Sequence, residues 1–347
     1  MSACPGHKTI RRLFLLTLLW LCVMLGACFF GSVPLTAGSV LAALLHLLGF
    51  GDCDQLTLTI VLNIRLARIL LASLAGSALA LAGVCLQGVL KNDLAEPFTL
   101  GISQGAACGA SLLLTGSLAT TLSGFALGQT ELVAFAAFCG ALLATAGTLL
   151  LGAKRGRMDR STVILAGIAM STFLGALLAL VKALNEESVA SIVFWIMGSF
   201  QGRTWDDLPL LLLPCLAGLI LLGFCWRALD MFFLDDMEAR QAGLNVERAR
   251  ILVLVAASLM TAGCVAVAGI IGFVGLVVPH ILRLLLGPSH APLLTGAVFG
   301  GGILLVLADL VARTLLPEGQ EIPVGVVTAL IGGPFFAWLL RHRSSVH

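Results

Sequence analysis

The sequence predicts an all-α polytopic membrane protein of about ten transmembrane helices with both termini cytoplasmic. Three observations carry that expectation. Apolar stretches close to 20 residues long follow one another with hardly any chain between them, and about 20 apolar residues match the roughly 30 Å hydrocarbon core of a bilayer. The 347 residues are 59% hydrophobic and 11% charged, too little polar surface to cover a soluble core of that size. The basic residues, finally, gather on one side of the resulting topology.

Helices are expected at about 13–33, 64–91, 99–117, 131–151, 162–184, 207–226, 250–269, 272–286, 292–312 and 323–340, a single transmembrane domain over 1–347. The first follows a basic flank of Lys8, Arg11 and Arg12. The second is long because its polar start at 63–68 and its end at 87–92 are expected to protrude from the bilayer. Gly101, Gly105 and Gly109 recur every four residues as a smooth stripe on the third, and Ala72, Gly76 and Ala80 do so on the second. Such stripes let helix backbones approach in lipid, where little hydrophobic drive remains. A basic turn joins the fourth and fifth helices, and the polar stretch 229–250 joins the sixth and seventh. The seventh and eighth are parted only by Gly269-Ile-Ile-Gly272. Gly296 and Gly300 mark the ninth, and Arg341 with Arg343 flanks the tenth.

With the N-terminus inside, the inner segments hold Lys8, Arg11, Arg12, Lys91, Lys154, Arg155, Arg157, Arg160, Arg227, Arg240, Arg248, Arg250, Arg283, Arg341 and Arg343. The outer ones hold Arg65, Arg68, Lys182, Arg203 and Arg313. Fifteen against five is the direction of the positive-inside bias. An even number of spans also keeps Arg341 and Arg343 inside.

Catalytic chemistry finds little support. Gly101-Ile-Ser103-Gln-Gly105 spells a hydrolase nucleophile pattern, but that pattern needs a preceding strand and a His and an acid in reach; here it lies within an apolar helix. The histidines show no H-E-x-x-H and no metal-ligand spacing, and the cysteines no CxxC pair. No P-loop is present, so an ATP-driven process must take its motor from another polypeptide. No catalytic residue, metal ligand, cofactor or nucleic-acid surface is assigned.

Several motifs together resemble the FecCD-type permeases, the membrane subunits of bacterial ABC importers for ferric siderophores, haem and vitamin B12. They begin with Arg65-Leu-Ala-Arg68, Leu79-Ala-Leu-Ala-Gly83-Val-Cys-Leu-Gln87 and Asn92-Asp-Leu-Ala-Glu-Pro97. Leu100-Gly-Ile-Ser-Gln-Gly105 and Trp195-Ile-Met-Gly-Ser199 follow. Gly272-Phe-Val-Gly-Leu-Val-Val-Pro-His280, Leu307-Ala-Asp-Leu-Val-Ala-Arg313 and Ile322-Pro-Val-Gly-Val-Val-Thr-Ala-Leu-Ile-Gly332 complete the series in the family's order, from about residue 60 to the C-terminus.

The resemblance implies a multi-pass permease of the bacterial inner membrane that is not itself an enzyme. It pairs with a second copy of itself, sits on two cytoplasmic ABC ATPase subunits, and receives a metal chelate from a periplasmic or lipid-anchored substrate-binding protein. Arg65, Arg68 and Arg313 match the arginines that receive glutamates of the binding protein, although Ala67 stands where the family has Pro. Glu238, Ala239 and Gly243 match the E-A-x-x-x-G element that couples to the ATPase, within the coupling loop 229–250. Asn92, Leu94 and Ser161 match the cytoplasmic gate, with Asp93 replacing the family's Pro and Arg160 a large neighbour. Ferric siderophore, haem and cobalamin are equally open as cargo. The alternative is an ion-coupled secondary transporter, which would want an acid in mid-membrane; Asp309 is its candidate, though Arg313 four residues on could neutralise it.

Overall fold

The computed structural model describes residues 6–343 apart from positions 32, 48, 51, 117–127, 155, 156, 233 and 318. The helices are α1 His7–Phe29, α2 Ala37–Leu47, α3 Gln55–Leu90, α4 Ile102–Leu114, α5 Gln129–Gly152, α6 Arg160–Leu184, α7 Val189–Ile196 and α8 Trp205–Met231. Then come α9 Asp236–Gln241, α10 Val246–Ala268, α11 Val274–Leu286, α12 His290–Thr314 and α13 Val324–Arg343. Among the described residues, strand pairing is confined to Ala153–Lys154 against Arg157–Met158, the antiparallel turn between α5 and α6.

Eight of these helices (α1, α3, α5, α6, α8, α10, α12 and α13) are long and apolar enough to cross a bilayer. The spans expected at 99–117 and 272–286 are instead 13-residue helices, α4 and α11. At about 1.5 Å per residue each covers roughly 20 Å, short of the hydrocarbon core. Local chemistry explains the shortening. A single 3₁₀ turn, Pro97–Leu100, ends in Gly101 at φ 80°, so α4 starts late. Likewise α11 starts only after Phe273, held at φ 68°. Irregular backbone of this kind is tolerated at membrane depth only inside protein. The Glu96 carboxylate provides that cover for α11 by accepting the Phe273 N–H.

Helix α3 is the centre of the bundle. Its apolar window is 89% buried, against 17% for α1 at the periphery, and α12, α10, α11 and α8 all pack on it. It begins at Gln55, nine residues ahead of the expected start, where the Asp54 carboxylate caps the Thr57 N–H at 3.3 Å. Residues Thr59–Leu66 wind as a π-helix, and Trp205 Nε1 donates to the Leu62 carbonyl at 3.1 Å. The small-residue stripe on α4 is partly corrected: Gly105 and Gly109 lie against Gly140 and Ala136 of α5, whereas Gly101 caps the helix and stands outside the stripe.

The bundle has two polar ends. One collects the ends of α1 and α12 and the starts of α3 and α13, because Arg65 reaches Cys28, and Arg68 reaches both Asp309 and Glu321. The other collects α9, the end of α3, the α5–α6 turn and the starts of α10 and α12. Arg12 near the start of α1 donates to the Leu285 carbonyl, and α13 runs away from the arginine end. The start of α1, the far end of α13 and α9 therefore share one end of the molecule.

Candidate functional site

Arg65, Arg68 and Arg313 meet at one end, but they do not project outward. They are 3, 7 and 4% exposed. The early start of α3 is the cause: it sets Arg65 well inside a helix that α2 and the end of α1 cover. Charges taken out of water need saturated partners. Arg68 supplies a fork, with Nε 3.0 Å from Asp309 Oδ2, Nη2 2.8 Å from Asp309 Oδ1 and Nη1 2.9 Å from Glu321 Oε1. Arg313 Nη2 donates to the Ala27 carbonyl at 2.9 Å, and its Nε lies 3.7 Å from Asp309 Oδ2. Arg65 donates to the carbonyls of Cys28, at 2.8 Å, and of Val33. Asp309 and Glu321 thus answer Arg68 and Arg313, while Arg65 is held by carbonyls alone, so these five groups carry one positive charge in excess.

Beside this cluster a cavity of about 180 Å³ is lined by Trp195, Ser199, Gln201, Arg203, Glu321 and Pro323, among others. Arg203 is fastened to Asp207 at 3.0 Å. Sites that enclose a drug-sized ligand run to roughly 300–1,000 Å³, so this cavity alone is too small for a metal chelate.

At the opposite end, α9 is a short capped helix. Glu238 closes a capping box by accepting the Asp235 N–H at 3.2 Å. Ala239 is 1% exposed, and its carbonyl accepts the Leu244 N–H at 3.0 Å. Gly243 ends the element at φ 89°, a backbone that costs an L-residue about 1–2 kcal/mol. The matched residues therefore shape the helix, and the surface they present is a different set: Met237 is 68% and Leu234 42% exposed, at the end of the bundle rather than along its apolar flank. Sequence reasoning missed both; two apolar side chains in a charged stretch carried the only signal.

Asn92, Leu94 and Ser161, the residues expected at the cytoplasmic gate, lie in turns whose neighbours reach α9. The Asn92 side chain accepts the Leu94 N–H at 3.0 Å in the turn after α3. Ser161, in the first turn of α6, is exposed and donates to Asp159, whose carboxyl this bond holds below its ordinary range. Among the described hydrogen bonds none joins Asn92 or Leu94 to Ser161. Their sequence neighbours do converge. Lys91 donates to the Leu234 carbonyl at 2.8 Å and lies 3.8 Å from Asp235; Arg160 pairs with Asp236. Asp236 also takes Arg250 Nη2 at 3.0 Å, and the other end of that guanidinium donates to the Met158 carbonyl. Burial alone would raise the Asp236 carboxyl, but Arg250 first, then Arg160 and Lys91, bring it below its usual range. Asp93 is engaged by Arg283 of α11.

Comparison with known proteins places this architecture. The profile of the FecCD transport family matches residues 16–342. The cobalamin import system permease protein BtuC of Halobacterium salinarum is 38% identical over 284 residues, 82% of this chain and 74% of that one. The hemin transport system permease protein HmuU of Yersinia pestis is 38% identical over 289 residues, 81% and 83% of the two chains. A solved structure described as an inward-facing conformation of a metal-chelate type ABC transporter superposes with a TM-score of 0.81 at 32% identity, over 96% of this chain and 99% of that one. This multi-pass membrane protein is a transport subunit and not an enzyme: the chain belongs to the FecCD transport family.

Proposed function

We propose that this permease imports a metal chelate by ATP-driven alternating access, as a pair of identical chains on two cytoplasmic ATPase subunits, with a binding protein delivering cargo at the arginine end. The observation that carries the reading is α9. It is a short capped helix ended by Gly243, it presents Met237 outside the bundle, and it is bonded to both turns assigned to the gate. The cavity beside Glu321 supports a path completed by a second copy, because by itself it is too small for a metal chelate. Cargo follows neither from the relatives, whose printed substrates include both cobalamin and hemin at equal identity, nor from this cavity. Asp309 gives no support to ion coupling, since Arg68 and Arg313 already neutralise it. The test is uptake into proteoliposomes with the ATPase subunits and binding protein present. Accumulation is expected only with hydrolysable ATP; accumulation by the permease alone under an ion gradient would overturn the reading.

Docking at the arginine end has to reckon with burial. Carboxylates of a visiting protein compete with Asp309 and Glu321, and Arg65, for which no carboxylate lies in ion-pair range among the described residues, is the best placed to receive one. Arg65→Gln is expected to weaken binding-protein affinity by about fivefold, the upper end for an ion pair made at a protein surface, and to flatten its salt dependence. Equal affinities of variant and wild type at low and high salt would remove Arg65 from docking. In the same assembly Gly243→Leu is expected to leave the dimer and its ATPase subunits associated while cutting uptake per ATP hydrolysed. An unchanged ratio would make the α8–α10 connection a plain linker.

A further inference from the structure

The first turn of α9 carries two neighbouring carboxylates, and each is bonded toward a different gate turn. Asp235 lies 3.8 Å from Lys91, which immediately precedes Asn92 and which also donates to the Leu234 carbonyl at 2.8 Å. Asp236 pairs through Oδ1 with Arg160, which immediately precedes Ser161. The two arms differ in what else holds them. Asp236 is anchored from beneath by Arg250, which is 1% exposed and spans from Asp236 to the Met158 carbonyl. Arg160, by contrast, begins α6 itself, so a displacement of Asp236 pulls on the helix that bears Ser161.

From this arrangement we infer that the Asp236–Arg160 ion pair is the strut by which movement of α9 is delivered to the α5–α6 gate turn, with Arg250 as the fixed pivot. This rests on the permease reading above and deepens it. Arg160 is a positioning residue: it touches no cargo, and it acts through Ser161. The chemistry suits a mechanical role. The contact runs through Arg160 Nη2 alone, a charge-assisted bond whose direction the planar guanidinium fixes, whereas a lysine at the same place would supply charge with little angular constraint. Arg250 is almost wholly enclosed and would leave a buried charge unpaired if Asp236 were lost, so Asp236→Asn reports on stability as well as on coupling. Arg160 is the arm that can be cut while the anchor stays.

The test uses the complete complex in proteoliposomes or nanodiscs. It compares wild type, Arg160→Gln and Arg160→Lys, each also combined with Ser161→Cys as a labelling probe. Three quantities are read: association with the ATPase subunits, uptake per ATP hydrolysed, and the change in maleimide labelling of the introduced thiol between the nucleotide-free and vanadate-trapped states. Wild type is expected to show a nucleotide-dependent labelling change. Arg160→Gln is expected to assemble and to hydrolyse ATP, to lose that labelling change, and to import at least tenfold less per ATP. Arg160→Lys is expected to fall between the two, because it restores attraction without the planar group that fixes its direction. Labelling in Arg160→Gln that still responds to nucleotide, or import within twofold of wild type, overturns the strut. So does failure of Arg160→Gln to assemble, which would make Arg160 part of the scaffold. Absence of ATP-dependent import in the wild type itself would instead fail the permease reading, so the two failures are told apart.

Discussion

Asp309→Ala is expected to cost about 3–5 kcal/mol of stability, the scale of breaking a buried ion pair by removing one partner. The carboxylate takes three hydrogen-bonding contacts from Arg68 near 3 Å and also lies 3.7 Å from Arg313. Both arginines are more than nine-tenths buried. Truncation therefore strands two cations that cannot reach water, and only Glu321 remains to offset one of them. Because α3 and α12 meet at this carboxylate and the segment before α13 joins them through Arg68, the loss is expected to separate helices rather than fray one. Thermal unfolding of the purified permease in detergent measures it. Thr314→Ala, at an exposed position on the same turn, serves as the control and is expected to stay within about 0.5 kcal/mol of wild type. A loss below about 1 kcal/mol for Asp309→Ala would mean that water reaches the cluster and that its arginines are free to serve other partners.

The second large effect comes from backbone contact in the centre of the bundle. A Cβ placed on Gly83 of α3 would lie 1.9 Å from the Gly275 carbonyl oxygen of α11, and one on Gly76 would lie 2.2 Å from the Gly301 oxygen of α12. No side chain can swing aside to relieve either contact; the helices themselves must part. In lipid that separation forfeits the van der Waals packing that holds helices together. Gly83→Val is expected to destabilise by about 3 kcal/mol, the upper end of ordinary overpacking, and to lower the yield of folded permease in membranes. It also shifts α11, and with it the Arg283–Asp93 contact next to Asn92. Gly223→Ala on α8, where an added Cβ meets nothing within 4 Å, is expected to be neutral or slightly stabilising. If both substitutions behave alike, close approach is not what glycine supplies at position 83.

The contrast between these two sites shows what the sequence makes legible. Period and length reveal helices that must cross a bilayer alone, so α5, α6, α8, α10 and α12 lie within a few residues of their expected positions. Helices that lean on the rest of the protein carry a weaker signal. The 13 residues of α4 and of α11 look like full spans because apolar residues continue past their ends, into a 3₁₀ turn and an extended segment that only the fold requires. The short α2 and α7 are hidden because neither can stand without neighbours. For the arginines, residue type and spacing pointed to one end of the molecule, and i,i+4 spacing pointed to the contact between Asp309 and Arg313. Nothing local could disclose that Arg68, 241 positions before Asp309, occupies the same carboxylate. The short turn of helix at α9 was signalled by Glu238, Ala239 and Gly243, but its contacts with neighbouring turns belong to Asp236, Lys91 and Arg160, which meet only once α9 has folded against them.

The central claim is that the two polar ends of the bundle serve opposite compartments, cargo delivery at the arginine cluster and the ATPase at α9. Single thiols introduced at Gln201 and at Met237 in a background without reactive cysteines, probed with a membrane-impermeant maleimide, test it most directly. Gln201→Cys should label in intact cells, and Met237→Cys only in inverted vesicles, with the latter protected when the ATPase subunits are bound. Labelling of both positions from the same side, or a Met237→Cys that stays equally reactive with the ATPase in place, would contradict the account.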